Sequence, residues 1–314
     1  MNPLVPALLA IFLPLVIPDK INTDSCGINS DLENLAETTQ YIVGGQPTGP
    51  GSWPWVCSVG FLETQSWEHQ CGGTLITYRH VLTAAHCPVE FKKMGRDDRI
   101  KVRCGDYHLQ QQEDNEETQV RAVSRYDVHE KFRDGYLNFD ITVLVAKQKF
   151  HPSIYIRPIC LGSPSQMDAN SEVLVVGWGK DSHGVHGTNL NIAKLQIQSS
   201  SFCKNAAPTL ESWFGAELFC AADQALAGIG SCHGDSGGPV FALRSTNHGG
   251  VTVRSSQFRY ELQGLVSGGS APGECGGLHA PDIFTNTSHG PIYDWIARKT
   301  EECNRKWWKL WKCS

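Results

Sequence analysis

Three short segments carry side chains whose types and order suit nucleophilic catalysis. His86 ends the stretch LTAAH, Asp140 opens an apolar stretch, and Ser236 lies in GDSGGP. A serine hydroxyl is a weak nucleophile until a neighbouring base takes its proton, and histidine does this well because its pKa lies near neutrality. A buried carboxylate can then fix the histidine tautomer. Each segment alone is a weak signal, but the three together, in this order, predict a catalytic triad.

The segment around Ser236 is the most specific of the three. Its glycines let the backbone N–H groups of Gly234 and Ser236 converge on one point. Converging donors of this kind form an oxyanion hole, which stabilises the charge that develops on a carbonyl oxygen under attack. We therefore expect Gly234 and Ser236 to supply these two donors.

The elements that must hold these residues are short β-strands. Runs of four to seven residues rich in Val, Ile, Leu and aromatics are separated by Gly and Pro, as is typical of an antiparallel barrel or sandwich. One helix is predicted over 291–302, since Pro291 suits a first turn and Ile292, Trp295 and Ile296 recur at helical spacing. The predicted strands lie at 55–61, 73–76, 100–103, 141–145, 173–176 and 262–266.

The composition indicates a globular protein with disulfide bonds. The 314 residues suggest about two units, although all-β barrels of this size often form one domain. The net charge of −5 and the lack of a basic stripe argue against nucleic acid as a partner. An apolar run at 4–17 is too short to span a bilayer comfortably and predicts a signal peptide at 1–21. With an even count of 12 cysteines, these features predict a secreted, extracellular protein.

The motifs resemble those of the chymotrypsin-like serine protease family, also called the trypsin/chymotrypsin family. The resemblance runs from Ile42 to about Arg298. Besides the triad segments, it rests on Ile42-Val43-Gly44-Gly45, Gly51-Ser52-Trp53-Pro54-Trp55, Cys71-Gly72-Gly73-Thr74-Leu75, Arg157-Pro158-Ile159-Cys160-Leu161 and Gly177-Trp178-Gly179.

This resemblance implies an all-β fold of two six-stranded antiparallel β-barrels with a C-terminal α-helix. It implies a protease domain at 42–302, between a prosegment at 22–41 and a basic, Trp-rich tail at 303–314. The active site is expected in the cleft between the barrels, with Ser267 matching the serine that supports the triad aspartate. The implied activity is serine endopeptidase action on protein or peptide substrates, with protein inhibitors as further partners and no cofactor required.

The resemblance also implies that the chain is a zymogen. In the family, cleavage before the Ile-Val-Gly-Gly segment frees an α-amino group, which pairs with the aspartate preceding the nucleophile. The matching pair here is Ile42 and Asp235. Tyr41 stands where most members have Arg or Lys, so the activating protease is expected to be chymotrypsin-like, or the cut lies elsewhere. A chain that is never cut and stays inactive is the alternative.

Four disulfides follow from the resemblance. They are Cys71–Cys87, Cys203–Cys220, Cys232–Cys275 and Cys26–Cys160, of which the last tethers the prosegment after cleavage. By elimination, Cys57 and Cys104 form a further pair, and Cys303 and Cys313 close a small C-terminal loop.

The specificity pocket departs from the family's trypsin-like members. Gly230 stands where those members have an aspartate, and Asp282 replaces a glycine low in the pocket, beside Ser231 and Gly269. An unpaired buried charge is costly. One hypothesis is that Asp282 receives Arg or Lys of the substrate; the alternative is an apolar pocket with Asp282 turned aside. Gly268 replaces the family's tryptophan, which leaves the second and fourth subsites open.

Lesser signals complete the sequence predictions. Asp106, Glu113 and Glu116 resemble a calcium loop, and hard oxygen ligands suit Ca²⁺, although acidic surface loops are common without it. Asn286 begins a glycosylation sequon, which predicts a glycoprotein.

The alternative to an enzymatic function is that the chain is a catalytically silent homologue used for binding. A digestive and a cascade role both stay open.

Overall fold

The computed structural model describes residues 20–29, 46–109, 118–164, 168–180, 187–223, 230–245, 258–269 and 281–305. Its strands are β1 Gln46–Pro47, β2 Val56–Glu63, β3 Ser66–Leu75, β4 His80–Thr83, β5 Lys101–Cys104, β6 Gln119–Val128, β7 Thr142–Ala146, β8 Cys160–Leu161, β9 Glu172–Gly177, β10 Asn191–Ile197, β11 Leu218–Ala222, β12 Pro239–Ser245, β13 Phe258–Gly269 and β14 Asp282–Asn286. The α-helices are α1 His86–Lys93, α2 Ser200–Ala206 and α3 Gly290–Arg305, with 3₁₀ helices at Asp97–Arg99 and Pro208–Trp213.

The first six long strands close into a barrel in the order β2-β3-β4-β7-β6-β5. Strands β2 and β3 are joined by Thr64 and Gln65, both of which have positive φ. Two such residues form the kind of tight turn whose twist matches antiparallel strands. The interior of this barrel is apolar, with Val59, Leu82 and Val143 fully buried.

The pairing of β4 with β7 explains how two of the predicted triad residues meet. Thr83, at the end of β4, lies opposite Thr142, at the start of β7. His86 follows Thr83 by three residues, and Asp140 precedes Thr142 by two. Because the strands are antiparallel, both residues emerge at the same rim of the barrel.

The second barrel closes in the order β9-β10-β11-β14-β13-β12, through the pairing of β9 with β10. Strand β1 joins it at β10, and β8 runs parallel to β13. The two six-stranded antiparallel barrels and the C-terminal helix confirm the predicted fold. No helix among the described residues is long and apolar enough to cross a membrane.

The C-terminal helix is longer than the sequence analysis predicted. It runs from Gly290 to Arg305, whereas the prediction ended it at residue 302. The predicted tail at 303–314 therefore begins inside the helix, which includes the backbone of Cys303. The rest of the tail lies outside the described residues, as do 1–19, most of the prosegment and Ile42.

Four disulfides join the described cysteines. They are Cys26–Cys160, Cys57–Cys104, Cys71–Cys87 and Cys203–Cys220. Cys232 is also disulfide-bonded, and its predicted partner Cys275 lies outside the described residues, as does Cys313. Three pairs implied by the resemblance and the Cys57–Cys104 pair are thus present.

Candidate active site

His86 and Asp140 form a tightly bonded pair at the rim of the first barrel. His86 Nδ1 donates to Asp140 Oδ2 at 2.8 Å, and the His86 backbone N–H donates to Asp140 Oδ1 at 2.9 Å. Asp140 is only 1% exposed, whereas the His86 side chain is 36% exposed. Because the carboxylate only accepts, we assign the proton of neutral His86 to Nδ1, which leaves Nε2 free to act as a base.

The second barrel completes the surroundings of Asp140. Ser267, from β13, donates its hydroxyl proton to Asp140 Oδ2 at 2.6 Å. Thr285, from β14, donates to the Asp140 backbone carbonyl at 3.0 Å. Asp140 therefore holds its orientation through donors from both barrels, as a buried carboxylate requires.

The electrostatics of the pair favour the charged imidazolium. Burial works to lower the pKa of His86, but the charge and hydrogen bond of Asp140, with Glu90 and Asp134 beyond it, raise the pKa above the ordinary 6.5. A base with a raised pKa accepts a proton more readily. As pH falls, His86 is therefore protonated at a higher pH than an unpaired histidine, and once protonated it cannot act as a base.

Ser236 lies on a tight loop just before β12 and packs against the first barrel. Its carbonyl accepts from the Gly72 backbone N–H at 2.9 Å. Gly234, two residues earlier, has φ +104°, a conformation that only glycine adopts readily. Within the described residues no hydrogen bond joins Ser236 Oγ to His86; catalytic contacts of this kind often tighten only when substrate binds.

A histidine that the sequence analysis missed holds the loop in place. His69 Nε2 lies 2.9 Å from the Gly234 carbonyl, and Ser58 Oγ lies 2.7 Å from His69 Nδ1. Trp67 Nε1, which can only donate, donates to Ser58 Oγ at 2.8 Å. Ser58 therefore donates to His69 Nδ1, and His69 Nε2 donates to Gly234. The only signal in the sequence was a histidine two residues before Cys71.

The side chain of Asp235, which lies between Gly234 and Ser236 in this loop, is buried. It is 8% exposed and accepts from the backbone N–H groups of Gly179 at 2.7 Å and Cys232 at 2.9 Å. Burial raises the pKa of Asp235 to about 6 despite these donors. No basic side chain in the described ranges forms an ion pair with it. Ile42, its predicted partner, lies outside those ranges.

Asp282, which the sequence analysis predicts low in the specificity pocket, is a second buried carboxylate. Asp282, 5% exposed, accepts from the Ser231 backbone N–H at 2.6 Å, and a Cβ on Gly230 would lie 2.5 Å from Asp282 Oδ2. Gly269 pairs with Asp282 across β13 and β14. Burial raises the pKa of Asp282 to about 7.

Gly268, which replaces the family's tryptophan, lies close to a leucine of the first barrel's loop. A Cβ placed on it would lie 3.2 Å from Leu137 Cδ2. Leu137 belongs to the loop that precedes Asp140 and so stands over the strand where the family has a tryptophan. The sequence analysis did not single out Leu137, because nothing local connects it with β13.

The predicted calcium and glycan sites stay predictions, and the structure describes only some of their residues. The Asp106 carboxylate is buried and pairs with Arg103 at 2.6 Å, so it already has a cationic partner. Glu113 and Glu116 lie outside the described residues. Asn286 is buried and its Nδ2, the atom that carries a glycan, donates to the Ala216 carbonyl at 2.9 Å. A glycan there requires the side chain to leave the folded sheet, which argues against it.

The described residues also contain one cluster of potential metal ligands, Cys71, His86 and Cys87. Its two sulfurs are joined in a disulfide and offer no thiolate, so the cluster does not suit a metal ion. The geometry provides instead a histidine oriented by a buried carboxylate, a serine on a tight loop and a second buried carboxylate, Asp282. These parts can carry out acyl transfer.

Comparison with known proteins agrees with this chemistry. The family model described as Trypsin matches residues 42–296. Chymotrypsin-C of Mus musculus is 32% identical over 283 residues, covering 88% of this chain and 94% of the relative. Chymotrypsin-C of Rattus norvegicus is 31% identical over 265 residues, covering 83% and 89%. Ovochymase of Halocynthia roretzi is 30% identical and covers 88% of this chain but 16% of the relative.

Proposed function

Because the chain belongs to the trypsin family of serine proteases and is a serine endopeptidase, we propose that it acts through a Ser236–His86–Asp140 triad. His86 Nε2 takes the hydroxyl proton as Ser236 Oγ attacks the peptide carbonyl, and then returns it to the leaving amine. Water repeats the cycle on the acyl-enzyme. The observation that carries this proposal is the 2.8 Å bond from His86 Nδ1 to Asp140, which leaves Nε2 as the base.

The developing oxyanion is proposed to bind the backbone N–H groups of Gly234 and Ser236. The positive φ of Gly234 and the hydrogen bond from His69 to its carbonyl support this assignment. A donor that is fixed before substrate arrives needs no reorganisation during the reaction. His69 is therefore a positioning residue for Gly234 in this proposal.

Activation is proposed to follow cleavage before Ile42. Asp235 is buried, its pKa is raised, and it has no ionic partner among the described side chains. A buried carboxylate gains most from a cation that it can pair with. The freed Ile42 amine is such a cation, and its insertion would order the Gly234–Ser236 loop.

For the substrate residue before the cleaved bond, P1, we propose Arg or Lys held by Asp282. The sequence predicts Asp282 low in this pocket, and a carboxylate whose pKa is raised by burial gains from a cationic partner. Burial of Asp282, which favours its neutral form, supports the second candidate, a large apolar residue above a protonated carboxyl.

The substrates are proteins or peptides, as the protease family implies. Multiple disulfides fit an extracellular protein. We propose that the chain is secreted through its N-terminal apolar segment as a zymogen, and that an activating protease and protein inhibitors are its further partners.

The test is to cleave the purified chain before Ile42 and profile it on a peptide library that varies P1. Activity in the wild type that is absent from Ser236→Ala supports the proposal. Equal activity in both proteins rules out the triad. No activity in either, with a free Ile42 amine confirmed by sequencing, supports the silent homologue instead.

A further inference from the structure

The residue before the triad aspartate has an unusual backbone. Phe139 has φ +55°, in the left-handed region that residues other than glycine, asparagine and aspartate seldom adopt. Its carbonyl accepts from the Ile141 N–H at 2.8 Å, so the chain reverses tightly around Asp140. This turn directs the Asp140 carboxylate back toward His86 instead of along β7.

Two neighbouring side chains contact the Phe139 ring. His129 stacks on it, with ring centroids 4.8 Å apart and planes 18° apart, and Lys131 Nζ lies 5.0 Å from its centroid. The His129 backbone N–H also donates to the Ile141 carbonyl at 3.1 Å. His129 therefore contacts this turn twice, through its ring on Phe139 and through its backbone N–H on Ile141.

His129 is suited to stacking because it is neutral. Burial lowers the pKa of His129 to about 4, against a small opposite effect of Glu130. Its Nδ1 accepts from the Lys131 backbone N–H at 3.2 Å, which puts the proton of the neutral ring on Nε2. A neutral imidazole stacks on a phenyl face at the pH where His86 works as a base.

The C-terminal helix supports His129 from behind. Trp295 of α3 lies 4.9 Å from the His129 ring. Trp295 Nε1 donates to Glu130 Oε2 at 2.7 Å, and Lys299 of the same helix pairs with Glu130 Oε1 at 3.2 Å. A continuous packed path thus runs from α3 through His129 and Phe139 to Asp140.

We propose that Phe139 is a positioning residue for catalysis, whose left-handed turn aims Asp140 at His86 and is held by the stack on His129 and Trp295. This inference rests on the triad proposed above. Phe139 touches no reacting atom and acts only through Asp140. The C-terminal helix accordingly contributes to the geometry of the active site as well as to the stability of the fold.

The test compares Phe139→Ala with Phe139→Tyr, which keeps the stack, and with Phe139→Asn, which tolerates left-handed backbone. We expect kcat of Phe139→Ala to fall between about 10- and 100-fold with KM nearly unchanged, since misplacement of a supporting group by about 1 Å has effects of this size. Phe139→Tyr keeps the wild-type kcat, and Phe139→Asn lies between the two.

A second readout separates positioning from mere stability. In Phe139→Ala the acid limb of kcat/KM against pH moves to lower pH, because a displaced Asp140 no longer raises the pKa of His86 as strongly. Active sites are counted with a serine-acylating reagent, so a loss of folded protein does not imitate a loss of kcat. Phe202→Ala, an exposed aromatic on α2, is the matched control and keeps wild-type values.

An unchanged kcat per active site and an unchanged acid limb in Phe139→Ala would overturn the inference, even if the protein melts at a lower temperature. If Phe139→Ala does not fold, Phe139→Leu, which keeps bulk without the aromatic stack, is measured and interpreted by the same criteria. Failure of the triad itself is recognised separately, because Ser236→Ala and Asp140→Asn then retain full activity.

Discussion

Asp140 and Asp282 are both buried carboxylates, but their surroundings differ. Asp140 accepts from His86, through both ring and backbone, and from Ser267. The carboxylate of Asp282 accepts from Ser231, and burial raises its pKa to about 7. The two carboxylates therefore differ in behaviour. Asp140 orients His86 by hydrogen bonding, whereas Asp282 has a pKa near neutral pH.

This titration predicts how substrate preference depends on pH. Asp282 is largely protonated below pH 7 and charged above it, so a cationic P1 residue gains a partner as pH rises. We expect the ratio of kcat/KM for P1-Lys over P1-Leu peptides to rise by up to about tenfold between pH 5.5 and 8.5. The effect of His86 titration cancels in this ratio.

Asp282→Asn is the control for that experiment, since it keeps the shape of the pocket floor and removes the charge. Its ratio is expected to be flat with pH. If the wild-type ratio is also flat and favours leucine throughout, the pocket is apolar and Asp282 serves only the fold.

At the scale of elements, much of the arrangement could be predicted from sequence. The short apolar runs marked the strands, and the motifs marked the rim where His86 and Asp140 emerge. The sequence did not show the strand register, that is, which residues of neighbouring strands lie opposite each other. Cys57 lies directly opposite Cys104 in the β2–β5 pair, which explains their disulfide, but only the closed barrel brings these strands together.

Contacts between distant segments account for what sequence reasoning missed. The left-handed residue Phe139 stacks on His129, which packs in turn against Trp295, and nothing in the local sequence indicates this arrangement. The C-terminal helix continues to Arg305 because no proline or glycine stops it after residue 302. At Phe139 the local pattern was compatible with more than one backbone conformation, and contacts with residues distant in the sequence distinguish them.

The docked part of the prosegment makes a prediction of its own. Gly27 has φ +65°, and a Cβ on it would lie 2.3 Å from the Tyr260 carbonyl. Gly95 has a similar φ of +66°, with nothing within 4 Å of its Cβ position. We expect Gly27→Ala to speed amide hydrogen exchange across residues 20–29 by about 10- to 100-fold, because undocking relieves both strain and clash.

Gly95→Ala is the matched control for backbone strain alone. It is expected to leave exchange at 20–29 unchanged and to cost about 1 kcal/mol of stability. Equal exchange in the two variants would mean that the prosegment is held by the Cys26–Cys160 bond and not by close packing.

At the scale of the whole molecule, the active site is shared between two barrels. His86 and Asp140 belong to the first, while Ser236, Ser267 and Thr285 belong to the second. In the proposed mechanism, activity depends on how the Ser236 loop is ordered against the first barrel. The buried Asp235 of that loop is the residue through which we propose that a distant cleavage controls the site.

This arrangement predicts how the enzyme is switched on. We expect a protease that cuts after aromatic residues to activate the chain at Tyr41, whereas trypsin should activate only a Tyr41→Arg variant. The new amine at Ile42 is measured by N-terminal sequencing and the activity by peptide hydrolysis. Because Cys26 is bonded to Cys160, the prosegment should separate from the protease on a gel only after reduction.

Asp235→Asn provides the decisive comparison, since it should be cut at the same bond yet gain little activity. The proposed pairing requires a charged Ile42 amine, so its contribution is expected at neutral pH and is lost as the amine deprotonates at alkaline pH. Wild-type activity should accordingly decline at alkaline pH together with the ordered loop. Full activity before cleavage, or in cleaved Asp235→Asn, would show that the loop is ordered without the ion pair.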